Sequence, residues 1–237
     1  MNKVDEFYNL FHNIPFLSCI SKPELEEIQK AIIVKKFSRN EIIVLEEDPS
    51  DFFYIIVSGK VRVTQVNESG KELLLAIHKR GNYFGEMSII DGKTAPATIV
   101  AMENTKIGFL TRSDFNKYII KNEKCMQSIV SMLCSRLRDA WDTMKLHSYA
   151  DAGDRLKAAL NMFYMKFGIA DERGKIIFTK LSHKDLANYT AMSRETASRI
   201  ISSLIKSDEI DIIDHKYFRL KPAFFNDMPS VGLEQPG

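Results

Sequence analysis

Apolar and polar residues alternate along the chain with periods that change from segment to segment, and each period predicts a type of element. Helical spacing of the apolar positions predicts short helices at residues 5–12 and 22–32. From residue 34 to about residue 110 the pattern becomes short alternating runs separated by glycine-containing turns, which predicts β-strands. Strands expected in this region include 41–45, 53–57, 60–66, 72–78, 97–101 and 105–110. Regularly spaced short strands with glycine turns are typical of an antiparallel barrel or double-sheet roll.

A single long helix is expected after these strands. Ser113 is of a type that caps helices, and neither glycine nor proline occurs between Asp114 and Gly153. Apolar residues recur in this helix at alternating steps of four and three, the spacing of a coiled-coil seam: Met126, Val130, Leu133, Leu137, Ala140 and Met144. A helix of about 30 residues spans about 45 Å, which is longer than a small roll requires. We therefore interpret the stripe as the seam of a parallel homodimer; the alternative is that it packs on its own domain.

The C-terminal part is predicted to contain three helices and a hairpin. These elements are 155–167, 182–188, 193–206, 210–213 and 217–220. Ser182 with Asp185 resembles a capping box, and Ser193 is placed to cap the next helix. Two close helices followed by a hairpin predict a winged helix-turn-helix.

The expected fold class is therefore α+β, in four segments along the chain. They are an N-terminal antiparallel β-roll with flanking short helices (1–112), a dimerisation helix (113–146), a winged helix-turn-helix (147–222) and a tail (223–237) that we expect to be poorly ordered.

Composition and charge describe an ordinary globular chain and restrict where chemistry can lie. The 237 residues are 45% hydrophobic and 27% charged, with a net charge of +2, so any nucleic-acid surface must be local. The three cysteines (Cys19, Cys125 and Cys134) form no C-x-x-C pair, which argues against a zinc ribbon or a dithiol redox motif. No apolar run approaches membrane-spanning length, and residues 1–17 are too polar for a signal peptide. We expect a cytoplasmic protein with no membrane partner.

The predicted helix at 193–206 carries two different faces. Its apolar positions fall on one side at helical spacing: Ala197, Ile200, Ile201 and Leu204. Its first turns carry on the other side Arg194, Glu195, Ser198 and Arg199. Two arginines near a helix N-terminus oppose the helix dipole, whereas Arg and Glu side chains are suited to guanine and to cytosine edges in the major groove. We favour DNA reading over a solvated surface, with Ser193, Thr196 and Ser182 as further candidate contacts.

Two motifs resemble the bacterial cyclic-AMP receptor protein / fumarate-nitrate reductase regulator (CRP/FNR) family of transcription factors. One runs from Leu181-Ser182 through Ser193-Arg194-Glu195-Thr196 to Ser198-Arg199, and the other is Phe84-Gly85-Glu86-Met87-Ser88 with Ala97-Thr98. The resemblance covers roughly residues 10–222. It implies an effector-responsive homodimer that binds palindromic double-stranded DNA and contacts RNA polymerase. It also implies guanine contacts from the two arginines and a cytosine contact from the glutamate, in a TGTGA-like or a TTGA-like half-site.

The second motif is similar to the family's phosphate-binding cassette, in which backbone N–H groups and a helix N-terminus cradle a cyclic phosphate. The resemblance assigns the ribose 2′-hydroxyl to Glu86. Cyclic-AMP binders then place an arginine and a serine or threonine where this chain has Ala95 and Pro96. Lys93 or Lys79 is an alternative phosphate ligand, but only as a point charge. At the adenine positions the chain has Ala140 and Trp141, and Trp141 either stacks on a purine or packs in the seam. The effector is a cyclic nucleotide or another small molecule.

Other cofactors and functions are less well supported by the sequence. An iron–sulfur cluster is not expected, because Cys19 stands alone near the N-terminus, and His12, His78 and Cys19 give only a weak case for haem. We find no Ser/His/Asp set, metal-ligand spacing or P-loop, and therefore expect no enzyme. The alternative function is a ligand-binding regulatory module that acts through protein partners and not through DNA.

Overall fold

The computed structural model of the chain describes residues 14, 17, 20–172, 174–214 and 216–226. The helix expected at 5–12 and residues 227–237 of the expected tail lie outside the described residues, as do His12 and Cys19. The chain divides into two compact units, Met1–Ser135 and Arg136–Gly237. The predicted fold class is confirmed, since an antiparallel roll is followed by a long helix and a winged helix-turn-helix.

The first unit is built of short strands flanked by helices, and its last helix continues into the second unit. Its elements are α1 (Lys22–Ala31), β1 (Ile33–Phe37), β2 (Ile42–Val44), β3 (Phe52–Ser58), β4 (Lys60–Val66), β5 (Glu72–Lys79), β6 (Tyr83–Phe84), α2 (Glu86–Asp91), β7 (Thr98–Ala101), β8 (Thr105–Thr111), α3 (Arg112–Phe115), a π-helical turn (Asn116–Ile120) and the long helix α4 (Glu123–His147). The strands β1 and β6 fall in the region where strands were expected, but neither was among the individual strands predicted.

Two four-stranded sheets form the roll, with strand orders β1-β8-β3-β6 and β2-β7-β4-β5. All of their pairs are antiparallel. The β4–β5 hairpin closes with Val66 opposite Glu72 around a turn that contains Gly70 at φ 76°. A positive φ is accessible to glycine without a steric penalty, so the turn residue fixes the register of this hairpin.

Strand β3 carries apolar side chains on both faces and so contributes to two cores. Because side chains alternate along a strand, Phe53 and Ile55 pack with the helices on one side, in a cluster that includes Leu25, Ile28, Phe115, Ile119, Cys125 and Ile129. Tyr54 and Ile56 lie in the second cluster, between the sheets, with Val44, Val61, Phe84, Ala95, Ile99, Ile107 and Phe109. Strand β3 therefore contributes side chains both to the core shared with the helices and to the core between the sheets.

The start of the long helix differs from the sequence prediction. The N-cap is Thr111 and not Ser113, because the Thr111 hydroxyl accepts from the backbone N–H of Asp114. The helical segment that follows is interrupted, since it passes through a π-helical turn and ends before α4 begins at Glu123. The Asn122 carboxamide oxygen accepts from the N–H of Cys125 at 3.2 Å, as a helix N-cap does. The prediction of one continuous helix from Asp114 was wrong.

The second unit contains the predicted helices and hairpin, and two additional strands. Its elements after α4 are α5 (Ala152–Phe167), β9 (Gly168–Asp171), β10 (Gly174–Ile177), α6 (His183–Tyr189), α7 (Arg194–Lys206), β11 (Ile210–Ile213), β12 (Tyr217–Leu220) and a 3₁₀ turn (Pro222–Phe225). The strand order is β11-β12-β10-β9, so the hairpin of the wing extends to a four-stranded sheet. Helices α5, α6 and α7 and the wing each contribute fully buried side chains, among them Leu156, Leu160, Leu186, Ala197, Ile201 and Leu220.

Candidate DNA-binding surface and effector site

Two helices joined by a short turn form the centre of the candidate DNA-binding surface. Helix α6 begins after Ser182, whose hydroxyl accepts from the N–H of Asp185 at 3.1 Å and donates to its carboxylate at 2.6 Å. This is the predicted capping box. The Ser182 hydroxyl is therefore engaged in hydrogen bonds with Asp185 at the helix N-terminus. The turn contains Ala191 at φ 55°, and α7 then begins after Ser193.

Helix α7 is amphipathic in the way its sequence indicates. Ala197, Ile201 and Leu204 are buried against the rest of the unit. Arg194, Glu195 and Arg199 are exposed in the first two turns. A helix that buries one side and exposes two guanidinium groups and a carboxylate on the other has the composition and shape that fit a DNA major groove.

Ser193 and Thr196 lie at the N-terminus of α7 and are hydrogen-bonded to each other. Ser193 is the N-cap, because its hydroxyl accepts from the backbone N–H of Thr196 at 3.0 Å. The same hydroxyl donates to the Thr196 hydroxyl at 3.0 Å. Both side chains therefore hold the end of the helix in shape, next to the exposed Arg194.

Ser198, which was predicted to contact DNA directly, is hydrogen-bonded within the protein. Its hydroxyl lies 2.8 Å from Nδ1 of His183, the first residue of α6. Burial lowers the pKa of His183 below its usual value, and the positive charge of Arg194 lowers it further. The histidine is a residue that the sequence reasoning missed, since nothing in the pattern of α6 alone sets it apart from an ordinary partly exposed position.

Ser202 lies beside the candidate DNA-binding residues and was not among those predicted. It lies one turn after Ser198 on the exposed side of α7, and its hydroxyl donates to the Ser198 carbonyl at 2.9 Å. The helical spacing that singled out Ser198 also includes Ser202, so the pattern contained this signal.

The predicted effector cassette lies where the roll contributes its short helix. Gly85 precedes α2 at φ 87°, and a side chain there would collide with the Phe52 carbonyl at 2.6 Å and with the Tyr54 ring at 2.7 Å. Phe84 stacks on Tyr54 with ring centroids 4.8 Å apart. Glu86, the first residue of α2, is 1% exposed, whereas its neighbour Met87 is 50% exposed. The start of the cassette is thus tightly packed against the Tyr54 ring and the backbone of Phe52.

The segment after α2 is closed by its own hydrogen bonds. Ser88 is buried and its hydroxyl donates to the carbonyl of Thr94 at 3.3 Å. Ala95 is buried in the apolar cluster between the sheets, and its N–H donates to the carbonyl of Asp48 at 2.9 Å. Pro96 is exposed and its carbonyl accepts from Gln65, while Ala97 is buried. Because residue 95 is a buried alanine, this segment has no guanidinium there to hold a cyclic phosphate.

Arg112 fixes the far end of α2. Its guanidinium donates to the carbonyls of Ser88 and Ile89 at 3.1 and 2.7 Å, and Nε donates to the carboxylate of Asp51 at 3.0 Å. Because Arg112 is also the first residue of α3, it connects the cassette to the helical segment that leads toward α4.

The apolar stripe of α4 lies partly against the protein and partly in solvent. Met126 and Leu133 pack against the helix-side core of the roll. Val130, Leu137, Trp141 and Met144 are between 51% and 69% exposed, and Cys134 and Ala140 are exposed as well. The exposed apolar residues follow steps of four and three, so a seam-like face remains uncovered: Val130, Cys134, Leu137, Trp141 and Met144. This face shares Val130, Leu137 and Met144 with the predicted stripe but has Cys134 and Trp141 in place of Leu133 and Ala140.

Two features are absent from the described residues. Among them, no helix is both long and apolar enough to cross a membrane. The same residues hold no group of three or more His, Cys, Asp or Glu side chains that is arranged to bind a metal ion.

Comparisons with known proteins assign both units. The family profile described as "Cyclic nucleotide-binding domain" matches residues 34–122, and that described as "Crp-like helix-turn-helix domain" matches residues 155–221. The chain is 30% identical over 168 residues to the Cyclic AMP receptor protein of Thermus thermophilus. The aligned region covers 71% of this chain and 74% of the relative. It is 28% identical over 181 residues to the Global nitrogen regulator of Synechococcus elongatus, covering 76% and 82%.

A solved structure shows the same fold. The structure of FixK2 from Bradyrhizobium japonicum superposes with a TM-score of 0.70 at 22% identity, covering 80% of this chain and 92% of that one. A cyclic nucleotide-binding domain joined to a Crp-like helix-turn-helix defines a class of DNA-binding transcription regulators. The chain belongs to the CRP/FNR family.

Proposed function

We propose that the chain regulates transcription as a homodimer whose two α7 helices enter successive major grooves of a palindromic site. The observation that carries this proposal is the exposure of Arg194, Glu195 and Arg199 on one face of α7, whose opposite face is buried. In this arrangement the two half-sites lie about 34–36 Å apart, one helical turn of DNA.

Each of the three side chains has a distinct role in the proposal. Arg194 and Arg199 donate two hydrogen bonds each to O6 and N7 of guanine, and Glu195 accepts from N4 of cytosine. Ser182, Ser193 and Thr196 support the surface at the helix ends, beside phosphate groups. Phosphate contacts add an affinity that falls steeply as the salt concentration rises but does not depend on sequence.

The test is selection of bound duplexes from a randomised pool by the full chain, followed by sequencing. We expect a two-fold symmetric motif. Arg199→Ala should reduce discrimination at one guanine of each half-site by about 1–3 kcal/mol. Lys206→Ala, in the last turn of the same helix, serves as the matched control and should leave the motif unchanged. A motif that is identical in Arg199→Ala and the unsubstituted chain refutes the assignment.

We propose that α4 forms the dimer seam. The support is the uncovered face Val130, Cys134, Leu137, Trp141 and Met144, whose four–three spacing suits a parallel pair of helices. In this proposal Trp141 belongs to the seam, and contact with an effector is secondary. Leu137→Glu should convert the dimer to a monomer in sedimentation, whereas Leu45→Glu, at an exposed apolar residue of the roll, should not.

We further propose that a small effector binds at the cassette of Phe84, Gly85, Glu86, Met87 and Ser88 and changes the population of DNA-binding conformations. Because Ala95 is buried and supplies no positive charge, cyclic AMP should bind weakly or not at all. Thermal-shift measurements with cyclic nucleotides, other nucleotides and haem test this point. A large rise in the unfolding temperature with cyclic AMP refutes the proposal that Ala95 prevents its tight binding.

The proposed partners are double-stranded DNA, a second copy of the chain and RNA polymerase. Transcription in vitro from a promoter that carries the selected motif tests the last of these, since promoter output should change with added protein. If output does not respond under any ligand condition although the motif is bound, the polymerase contact is wrong.

A further inference from the structure

The hydrogen bond between the two helices of the helix-turn-helix has a consequence for base recognition. His183 is the first residue of α6 and Ser198 is the fifth residue of α7, and their side chains meet at 2.8 Å. Both residues are partly exposed. The Ser198 hydroxyl therefore faces the imidazole, in a residue that keeps part of its surface exposed.

Ser198 is close to the side chains that the proposed function places on DNA bases. It follows Glu195 by three residues and Arg194 by four, so it is the neighbour of both on the helix surface. A hydroxyl can either donate or accept a hydrogen bond, and on its own it does not discriminate between bases. A fixed partner removes this ambiguity.

The charge state of the His183 ring decides whether it has an acceptor nitrogen for the Ser198 hydroxyl. Burial and the nearby Arg194 lower the pKa of His183, so the imidazole is neutral near pH 7 and one of its nitrogens is an acceptor. Ser202 and Thr190 direct their hydroxyls to backbone carbonyls four residues earlier, at 2.9 and 2.7 Å. The Ser198 hydroxyl lies instead beside Nδ1 of His183, which accepts its proton in the tautomer that carries the ring proton on Nε2.

We propose that His183 is a specificity-determining positioning residue, which holds the hydroxyl proton of Ser198 so that Ser198 presents only acceptor lone pairs to the DNA. This inference rests on the proposed function of α7. In the major groove an acceptor selects a base with an amino group, which is adenine through N6 or cytosine through N4. Without the imidazole the hydroxyl is also free to donate a hydrogen bond, so thymine or guanine fits that position equally well.

The experiment measures base preference in full-length variants by sequencing the duplexes that each selects from a randomised pool. Ser198→Ala identifies the half-site position that Ser198 reads. His183→Phe keeps a ring of similar size without an acceptor, and His183→Asn keeps an acceptor near the place of Nδ1. The double variant His183→Phe/Ser198→Ala tests whether the histidine acts through the serine. Lys184→Ala, the next residue of α6, is the matched control.

The unsubstituted chain should prefer adenine or cytosine at the position identified by Ser198→Ala. A single neutral hydrogen bond corresponds to a preference of roughly 2- to 10-fold. His183→Phe should lose this preference at that position only, His183→Asn should retain most of it, and the double variant should match Ser198→Ala. Lys184→Ala should change no single base. The base preference is a ratio within one sample, so it does not depend on the fraction of active protein. If the His183→Phe chain does not fold, His183→Leu replaces it.

Several outcomes overturn the inference. These are a preference for thymine or guanine at the Ser198 position, an unchanged preference in His183→Phe, a loss spread evenly over the whole motif, or an additional loss in the double variant. The proposed function fails separately: if the unsubstituted chain selects no motif, both claims are wrong. If it selects a motif that depends on Arg199 but not on His183, only this inference is wrong.

Discussion

Arg112 donates through Nη1 to the carbonyl oxygen of Ile89 at 2.7 Å, and this contact joins the last turn of the cassette helix α2 to the first residue of α3. The orientation is electrostatically favourable, because a cation lies at the end of a helix where carbonyl groups are exposed. Asp51 holds the same guanidinium from the other side at 3.0 Å. Arg112 therefore links α2 directly to the start of the segment that leads toward α4.

Loss of this guanidinium should destabilise the roll. Arg112→Ala removes hydrogen bonds to three backbone carbonyls, those of Ser50, Ser88 and Ile89, and to a carboxylate. Since the side chain is about one-third exposed, we expect a loss of only about 1–3 kcal/mol in the free energy of unfolding. Urea denaturation measures this quantity. Arg112→Lys, which keeps the charge but not the forked geometry, should recover part of the loss. Equal stability of Arg112→Ala and the unsubstituted chain contradicts the role assigned to Arg112.

Gly85 and Gly70 give a matched pair of substitutions in the same unit. Both have positive φ, 87° and 76°, but a Cβ at Gly85 meets the Phe52 carbonyl at 2.6 Å whereas a Cβ at Gly70 meets nothing within 4 Å. Gly70→Ala should therefore cost only the backbone strain, about 1–2 kcal/mol. Gly85→Ala should cost more, by roughly 1–3 kcal/mol. Similar unfolding midpoints for the two variants rule out the close packing at Gly85.

The stability of the second unit should fall as the solution becomes more acidic. Burial lowers the pKa of His147, and the positive charge of Arg155 lowers it further. The unfolded chain therefore binds the proton first as the pH falls past the ordinary histidine value of about 6.5, so protonation favours unfolding. Thermal unfolding between pH 7.5 and 5.5 measures the slope, and His147→Gln should make it shallower. An unaltered slope in that variant shows that His147 does not contribute to it.

The sequence predicted those elements whose ends are marked by specific residues. Strand β4 was predicted with its observed bounds, because Gly59 and the turn around Gly70 delimit it. The exposed trio on α7 follows directly from helical spacing. By contrast, β6 contains only two residues, Tyr83 and Phe84, which is too few for an alternating pattern to show. The start of α3 was misplaced because Thr111 and Ser113 are both capping residues, and only the Thr111–Asp114 contact distinguishes them.

What the sequence could not provide were contacts between residues that are far apart along the chain. His183 and Ser198 are separated by a turn between two helices, and no periodicity links them. The burial of Ala95 is similar, since the substitution for arginine was visible but its N–H bond to the Asp48 carbonyl depends on how two loops pack. The stripe predicted on α4 has the spacing of a seam, but spacing alone does not show which of its residues are covered. Only the folded roll shows that Met126 and Leu133 are already covered.

The proposed dimer seam predicts a specific disulfide. In a parallel pair of helices, residues at a core position of the seam lie opposite their own copies, so the exposed face of α4 brings the two Cys134 thiols close enough for a bond. With Cys19→Ser as the background, an oxidant such as diamide should convert the chain to a covalent dimer that reductant reverses. Cys125 is fully buried and should not react.

The register of the seam decides which residue forms the bond. If the seam follows the exposed residues, Cys134 is central, and Cys134→Ser should abolish the covalent dimer. If it follows the stripe that the sequence predicted, Leu133 is central, and Leu133→Cys in a Cys134→Ser background should crosslink faster than Cys134 itself. The packing of Leu133 against its own roll favours the first outcome. Failure of both thiols to crosslink, with the protein sedimenting as a single chain, excludes α4 as the seam.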